Sequence, residues 1–141
     1  MSQDKLQEAL KELVTISIQE GLCIEFKAPE EDPQMDFGSF AAASRTIEIY
    51  KERTEPLTAF HIYAFAHELK HWYQWKSLDG YESWLFNIGA VRNDNQEQSA
   101  RLEIEADEFA ISFLRRHHIR VSKKLKEFIE DRKEHYEERQ G

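Results

Sequence analysis

Two histidines separated by three residues are the feature of this sequence with the clearest chemical meaning. His67 and His71 flank Glu68 in the pattern His-Glu-x-x-His, inside a stretch that is typical of a helix. Side chains four positions apart on a helix lie on one face, about one turn apart, so both imidazoles can reach one metal ion. The carboxylate of Glu68 can then stand beside a water molecule on that ion and take its proton. The pattern therefore predicts metal-assisted hydrolysis, with a peptide bond as the expected target.

The residues around this motif predict that its helix is buried. Pro56 can open the helix, because its missing N–H would be unpaired there in any case. An apolar stripe follows at helical spacing, made of Ile62, Phe65, Leu69 and Trp72. The alternative is an ordinary surface helix with two solvated histidines. Buried histidines need polar partners, so the apolar context favours the metal site.

A third ligand is expected, because a catalytic zinc ion usually has three protein ligands and one open position. A second predicted helix carries Glu103 and Asp107 beside its own apolar stripe of Leu102, Ala106, Phe109 and Phe113. Glu103 can ligate the metal, and Asp107 can accept the free ring N–H of a ligating histidine. Against this, a run of acidic residues is usually a solvated face. The missing third ligand of the histidine pair favours the metal role for Glu103.

The two motifs together resemble those of the gluzincin metallopeptidases. His67-Glu68-x-x-His71 followed by Glu103-x-x-Ala106-Asp107-x-Phe109-Ala110 is most similar to the small ImmA/IrrE-type peptidases and the compact minigluzincins. The resemblance implies that His67, His71 and Glu103 bind Zn²⁺, that Glu68 is the general base, and that Asp107 supports a zinc-bound histidine.

The resemblance covers roughly residues 35 to 115. It includes one further shared feature, and the sequence departs from the family pattern at two places. Gly38-Ser39-Phe40 runs into Thr46–Tyr50, where these families often carry a glycine-led hairpin and an edge strand. Lys70 stands where many relatives have glycine, and the segment between the motifs, 72–102, matches loosely. Substrate choice therefore stays open.

Composition limits the class of protein. A chain of 141 residues fits one domain, which we expect to span 1–141. The net charge of −8 argues against nucleic-acid binding, which relies on clustered Lys and Arg. SprT-type DNA-associated proteases also carry the His-Glu-x-x-His pattern, but they have a third histidine in a Gly-His-Gly context. That tripeptide does not occur here. The expected partner is a peptide or protein substrate, and the oligomeric state stays open.

Three features of the sequence bear on the cellular compartment of the protein. The single cysteine, Cys23, allows no internal disulfide and lies in a predicted strand, where a small buried side chain is expected. The N-terminus leads to no stretch of signal-peptide type, and no run approaches the ~18 apolar residues of a membrane span. A cytoplasmic protein without membrane association is the default expectation.

The pattern along the chain predicts an α+β fold with a small, mostly antiparallel sheet. Its expected elements are a helix at 3–20 stopped by Gly21, a strand at 22–26, a loop at 28–36, a hairpin at 37–50, the two motif helices, and a last helix at 122–139 capped by Ser122. The resemblance implies that the second strand of the hairpin, Thr46–Tyr50, is the edge strand. An extended substrate could pair with the edge strand.

Several alternatives remain at this point. The apolar segment with Tyr81, Trp84, Leu85, Phe86 and Ile88 is either a lid over the metal or a short helix covering the core. His117 and His118 are a weak rival metal site, because adjacent helical residues point about 100° apart. Tyr73, Tyr81, His61 and His117 are unranked candidates for a second electrophile. The motif could also belong to a metal-binding regulatory domain without turnover, or stand by chance on a structural helical domain.

Overall fold

Four helices and three strands make up the described part of this protein. The computed structural model describes residues 3–28, 38–77 and 96–140. In chain order the elements are α1 (Gln3–Gln19), β1 (Cys23–Lys27), β2 (Gly38–Ala41), β3 (Thr46–Tyr50), α2 (Ala59–Ser77), α3 (Gln96–Arg116) and α4 (Lys123–Gln140). The predicted α+β class is confirmed. Most of the predicted 28–36 loop, and the apolar segment with Tyr81 and Trp84, lie outside the described residues.

Two predicted helix boundaries are confirmed by their hydrogen bonds. After α1, Gly21 adopts a left-handed backbone with φ of 76°, and the N–H groups of Gly21 and Leu22 donate to the carbonyls of Ile18 and Ser17. This pair of bonds satisfies carbonyls at the end of α1, and glycine adopts the required φ without strain. Before α4, the N–H of Leu125 donates to Oγ of Ser122 at 3.1 Å, as expected for an N-cap.

Helix α2 begins later than the sequence predicts. Pro56 does not open it; the helix starts at Ala59 and is capped by Thr58. The N–H of Thr58 donates to Nδ1 of His61 at 2.9 Å, and the N–H of His61 donates to the carbonyl of Thr58 at 3.1 Å. The bond from Thr58 to the His61 ring is the one that Glu or Gln makes at the third helical position of a capping box, and the bond to the Thr58 carbonyl is an ordinary backbone turn. The cap between Thr58 and His61 therefore sets the start of α2 at Ala59, three residues after Pro56.

The sheet is mixed, and the prediction for its edge is wrong. Its strand order is β1-β3-β2, with β1 parallel and β2 antiparallel to β3. Thr46–Tyr50, predicted as the edge strand, is the central strand. The alternation of Ile47 and Ile49 fixes which face of β3 is buried, but it carries no information about which strands lie on either side. The strand that borders the site is β2.

Cys23 is exposed, so the prediction of a small buried side chain is also wrong. It lies on β1, one of the two outer strands in the described part of the sheet, and four of the five β1 residues are exposed. Leu22, one residue earlier, is buried in its place. One cysteine in an alternating pattern cannot show which face is covered.

The core is organised around α2, which packs on α3, α1, β2 and β3. All four residues of its predicted apolar stripe are buried: Ile62, Phe65, Leu69 and Trp72. On α3 the buried apolar residues are Leu102, Ala106, Ala110, Phe113 and Leu114, while the predicted Phe109 is half-buried. In the described part of the chain, no helix is both long and apolar enough to cross a lipid bilayer.

Candidate metal centre

The two histidines of α2 and a glutamate of α3 meet between these helices. One ligand atom from each of His67, His71 and Glu103 lies within 4.8 Å of the other two. The Nε2 atoms of the two histidines are 3.1 Å apart. Oε2 of Glu103 lies 3.1 Å from Nε2 of His67, and its Oε1 lies 2.9 Å from Nε2 of His71. The structure thus brings together the three side chains that the sequence predicts as ligands.

Small residues explain how the helices approach closely enough for this contact. Ala106 and Ala110 of α3 are fully buried, and α3 packs against α2. Alanine side chains on facing helices shorten the distance between the helix axes. Glu103 lies one turn before Ala106, so it is buried in the same interface with only 9% of its surface exposed. Its carboxylate therefore projects into the helix interface.

Glu68 stands beside the three ligands. Its Oε1 is 3.9 Å from Nε2 of His67, and the residue is 8% exposed. The strand β2 lies against it, because a Cβ atom built on Gly38 would stand 3.5 Å from Cγ of Glu68. The same Cβ would stand 2.8 Å from the carbonyl oxygen of Glu48, a separation that real Cβ atoms do not show. The close approach of β2 to Glu68 therefore depends on glycine at position 38.

Asp107 lies behind His67, where the sequence predicts it. Its Oδ1 is 2.8 Å from Nδ1 of His67, although the two atoms are not aligned as a hydrogen bond. The same oxygen accepts a hydrogen bond from the hydroxyl of Tyr63. Sequence reasoning missed Tyr63, which lies four residues before His67 and so on the same helix face. That spacing is the signal that could have found it.

Gln74 holds the other histidine and was also missed. Its Oε1 is 2.8 Å from Nδ1 of His71, three residues earlier on α2. Its Nε2 donates to the carbonyl of Leu102 on α3 at 2.9 Å. A polar residue at i+3 from a ligand on a buried helix is the only sequence signal for this contact.

The buried charges shift the ionisation of the cluster. Burial opposes a positive charge on His67, but the carboxylates of Asp107, Glu103 and Glu68 outweigh it and raise the pKa of His67 to about 10. Burial also opposes the charge on Glu103, but His71 and His67 hold the pKa of its carboxyl well below the usual range. Three carboxylates thus surround two imidazoles in an interface that excludes water. Buried charges of this kind are paired or bind metal ions.

The donor set fits a zinc ion. Tetrahedral zinc binds imidazole nitrogen and carboxylate oxygen at about 2.0–2.1 Å, which separates neighbouring ligand atoms by roughly 3.4 Å. The Nε2 atoms of His67 and His71 are 3.1 Å apart, close to this value, and each lies 3.1 or 2.9 Å from a different oxygen of Glu103. One ligand atom from each of the three residues lies within 4.8 Å of the others. Two imidazoles and one carboxylate are also the chemistry of a catalytic zinc site with an open position. Other divalent ions accept the same ligands.

The remaining candidate residues lie elsewhere. His61 caps the start of α2, and His117 contacts Glu12 of α1. His118 is exposed, and among the described residues the pair His117 and His118 does not join a cluster of possible metal ligands. Tyr73 packs its ring against Phe109 with 6.2 Å between centroids. Tyr81 lies outside the described residues, and the structure does not bring the described candidates for a second electrophile into the cluster.

Comparison with models of known protein families finds no match for this chain. Comparisons with curated proteins and with solved structures find no match either. The resemblance to gluzincins therefore rests on the motif residues alone.

Proposed function

We propose that this protein is a zinc-dependent metallopeptidase of the gluzincin type. The observation that supports this most is the convergence of His67, His71 and Glu103, from two helices, with Glu68 beside them. A cytoplasmic location is part of the proposal. The exposed, unpaired Cys23 is compatible with a reducing compartment, where disulfides are rare.

In this proposal three side chains bind the ion and a fourth, Glu68, transfers the proton. His67 and His71 bind through Nε2 and Glu103 through its carboxylate, and Asp107 keeps the ring of His67 in place from Nδ1. A bound zinc ion would supply Lewis acidity, lowering the pKa of a water molecule toward ~7 and polarising the scissile carbonyl. Glu68 accepts the proton of the attacking water and passes it to the leaving amine.

The charge of the ligand set suits this chemistry. Two neutral imidazoles and one carboxylate would leave a divalent ion with a net charge of about +1, which favours a nucleophile and a developing oxyanion nearby. Glu68, 3.9 Å from Nε2 of His67, is close enough to act on a group at the ion and is not needed as a ligand. Its burial protects the proton it carries from exchange with bulk water.

The strand β2 is the element of the sheet that we propose for substrate binding. It is an edge strand in the described part of the sheet, and Gly38 at its start lies against Glu68. An extended peptide can add to a sheet edge through main-chain hydrogen bonds, which places its backbone next to the site without demanding a particular sequence.

The test is zinc-dependent cleavage of a complex peptide mixture, read by mass spectrometry. Purified protein with one equivalent of zinc should produce cleavage products that chelation abolishes. Glu68→Gln should bind zinc as the wild type does and lose at least about 100-fold in turnover, because the general base is missing. Glu108→Gln, an exposed acid on α3, is the matched control and should cleave normally.

Each outcome separates the candidates. Zinc binding without any cleavage would overturn the peptidase and favour the metal-binding regulatory domain. Cleavage retained in Glu68→Gln would overturn the role of that residue. An absence of zinc binding in the wild type would overturn the site and leave a structural helical domain.

A further inference from the structure

Gln74 makes a continuous link between one proposed ligand and the helix that carries another. The residue is 6% exposed and lies near the end of α2. Its Oε1 is 2.8 Å from Nδ1 of His71, and its Nε2 is 2.9 Å from the carbonyl oxygen of Leu102, next to Glu103. One side chain therefore touches both sides of the interface in which His71 and Glu103 meet.

The orientation of the Gln74 amide follows from its partners. A backbone carbonyl can only accept a hydrogen bond, so the atom facing Leu102 must be the NH₂ group. The same NH₂ group lies 3.3 Å from a carboxylate oxygen of Glu105, a second acceptor. The oxygen of the amide is therefore left to face His71. Amide orientation is assigned from such networks, and here two acceptors on α3 agree.

The orientation of the amide in turn fixes the proton on His71. An amide oxygen only accepts, so Nδ1 of His71 must carry a hydrogen to bond with it. A neutral imidazole with hydrogen at Nδ1 keeps its lone pair at Nε2. Nε2 is the atom that faces His67 and Glu103, at 3.1 and 2.9 Å.

We propose that Gln74 is a positioning residue that selects the metal-binding tautomer of His71 and aligns it with Glu103. This inference rests on the metal site of the proposed function. Under this proposal the partner of His71 at Nδ1 is a neutral amide, whereas the group that lies against Nδ1 of His67 is the carboxylate of Asp107. The amide orients its histidine without adding a negative charge to a region that already holds Glu68, Glu103 and Asp107. It also ties the ring to α3 through Leu102.

The choice of an amide at this position has a specific consequence. Gln74→Glu keeps an oxygen for the N–H of His71, but it turns the other oxygen toward the Leu102 carbonyl and the Glu105 carboxylate. Gln74→Leu removes both contacts while it keeps a buried side chain of similar size. Loss of a hydrogen-bonding partner of a ligating histidine typically weakens metal binding about 10–100-fold. We expect Gln74→Leu to show this loss and Gln74→Glu to lie between it and the wild type.

The experiment measures zinc affinity by competition with a chromophoric chelator for the wild type, Gln74→Leu and Gln74→Glu. Gln19→Leu, at the exposed end of α1, controls for the gain of a leucine. The ring nitrogens of His71 are read in parallel by ¹H–¹⁵N correlation NMR on the zinc-bound wild type and Gln74→Glu. We expect hydrogen at Nδ1 and a metal-shifted Nε2 in the wild type, and a displaced Nδ1–H resonance in zinc-bound Gln74→Glu, which a role for Gln74 outside its contact with His71 does not produce.

The outcomes are distinct from those of the proposed function. Zinc binding through Nδ1 of His71, or an affinity within about twofold of wild type in a folded Gln74→Leu, would overturn this inference and leave the peptidase intact. If Gln74→Leu does not fold, Gln74→Glu decides the question: a zinc affinity within about twofold of the wild type together with an unchanged Nδ1–H resonance of His71 would overturn the inference. A wild type that binds no zinc would overturn the proposed function and this inference together.

Discussion

The hydroxyl of Tyr63 donates a hydrogen bond to Oδ1 of Asp107, the oxygen that lies 2.8 Å from Nδ1 of His67. Tyr63 and His67 stand one turn apart on α2, and Asp107 reaches them from α3. Tyr63 is 2% exposed and Asp107 is 3% exposed, so water does not replace either partner readily. The contact therefore couples the packing of the two helices to the orientation of a proposed ligand.

Tyr63→Phe should destabilise the fold. The change removes a donor from a buried carboxylate, and hydrogen bonds to charged groups contribute about 1.5–3 kcal/mol. Urea denaturation of the chelated protein measures the loss, and zinc affinity should fall as well. Tyr73→Phe, in a half-buried tyrosine of the same helix, is the control. Equal effects of the two changes would show that Tyr63 acts only as a core ring.

Removal of zinc should lower the thermal stability of the wild type and leave Glu103→Ala unaffected. A ligand that binds only the folded state stabilises it by mass action, by about 2.7 kcal/mol at a hundredfold excess over Kd. Differential scanning fluorimetry with and without chelator reports the shift, and elemental mass spectrometry should find about one zinc per wild-type chain. Glu108→Ala should behave as the wild type. A chelator shift that persists in Glu103→Ala would place the ion elsewhere.

Gly38→Ala should impair both stability and cleavage. The new methyl group would stand 2.8 Å from the carbonyl oxygen of Glu48, so β2 must move away from its neighbours, including Glu68. Overpacking of this kind costs about 1–3 kcal/mol. Gly21→Ala is the matched control, because it meets no atom within 4 Å and carries only the strain of its φ of 76°. Both variants should lose stability, but Gly38→Ala alone should lose turnover beyond its unfolded fraction.

His61 should contribute to a loss of stability in mild acid. Burial lowers the pKa of its imidazole below the ordinary 6.5, while Glu55 partly opposes this shift. Nδ1 must also stay unprotonated to accept the N–H of Thr58. Above pH 6.5 both the folded and unfolded chains hold His61 neutral. Below it, the unfolded chain takes up a proton that the folded chain resists, so the free energy of unfolding falls until the folded pKa is passed.

This pH dependence is measured as the difference between wild type and His61→Gln, both chelated, across mild acid. Glutamine can accept the N–H of Thr58 from the same helical position and does not titrate. The variant should therefore lose less stability on acidification. Parallel curves for wild type and His61→Gln would contradict the prediction.

The sequence predicted the parts of this fold that depend on local chemistry. Gly21 and Ser122 mark helix ends because their effects act within a few residues, and the spacing of Ile62, Phe65 and Leu69 sets the buried face of α2. The meeting of His67 and His71 follows from helical geometry alone. The approach of Glu103 was inferred from a missing third ligand, and the small residues around Ala106 permit it.

What sequence could not supply was the identity of neighbours across the fold. The pattern of β3 shows a buried face, but its central position depends on β1 returning parallel to it. Cys23 is exposed because no element covers the outer strand there in the described part of the chain. The partners of Tyr63 and Gln74 lie 44 and 28 residues away in the chain, at Asp107 and Leu102. No periodicity within α2 encodes those pairings.

Helix α2 carries the centre of the core and, besides His61 at its start, four buried polar side chains on the same few turns: His67, Glu68, His71 and Gln74. Apolar residues of similar size at these positions would often stabilise a protein without any activity. Selection for stability alone would therefore replace these polar residues with apolar ones while the fold is kept. When random substitutions in α2 are selected first for folding and then for zinc-dependent cleavage, substitutions at these four positions should pass the first selection and fail the second.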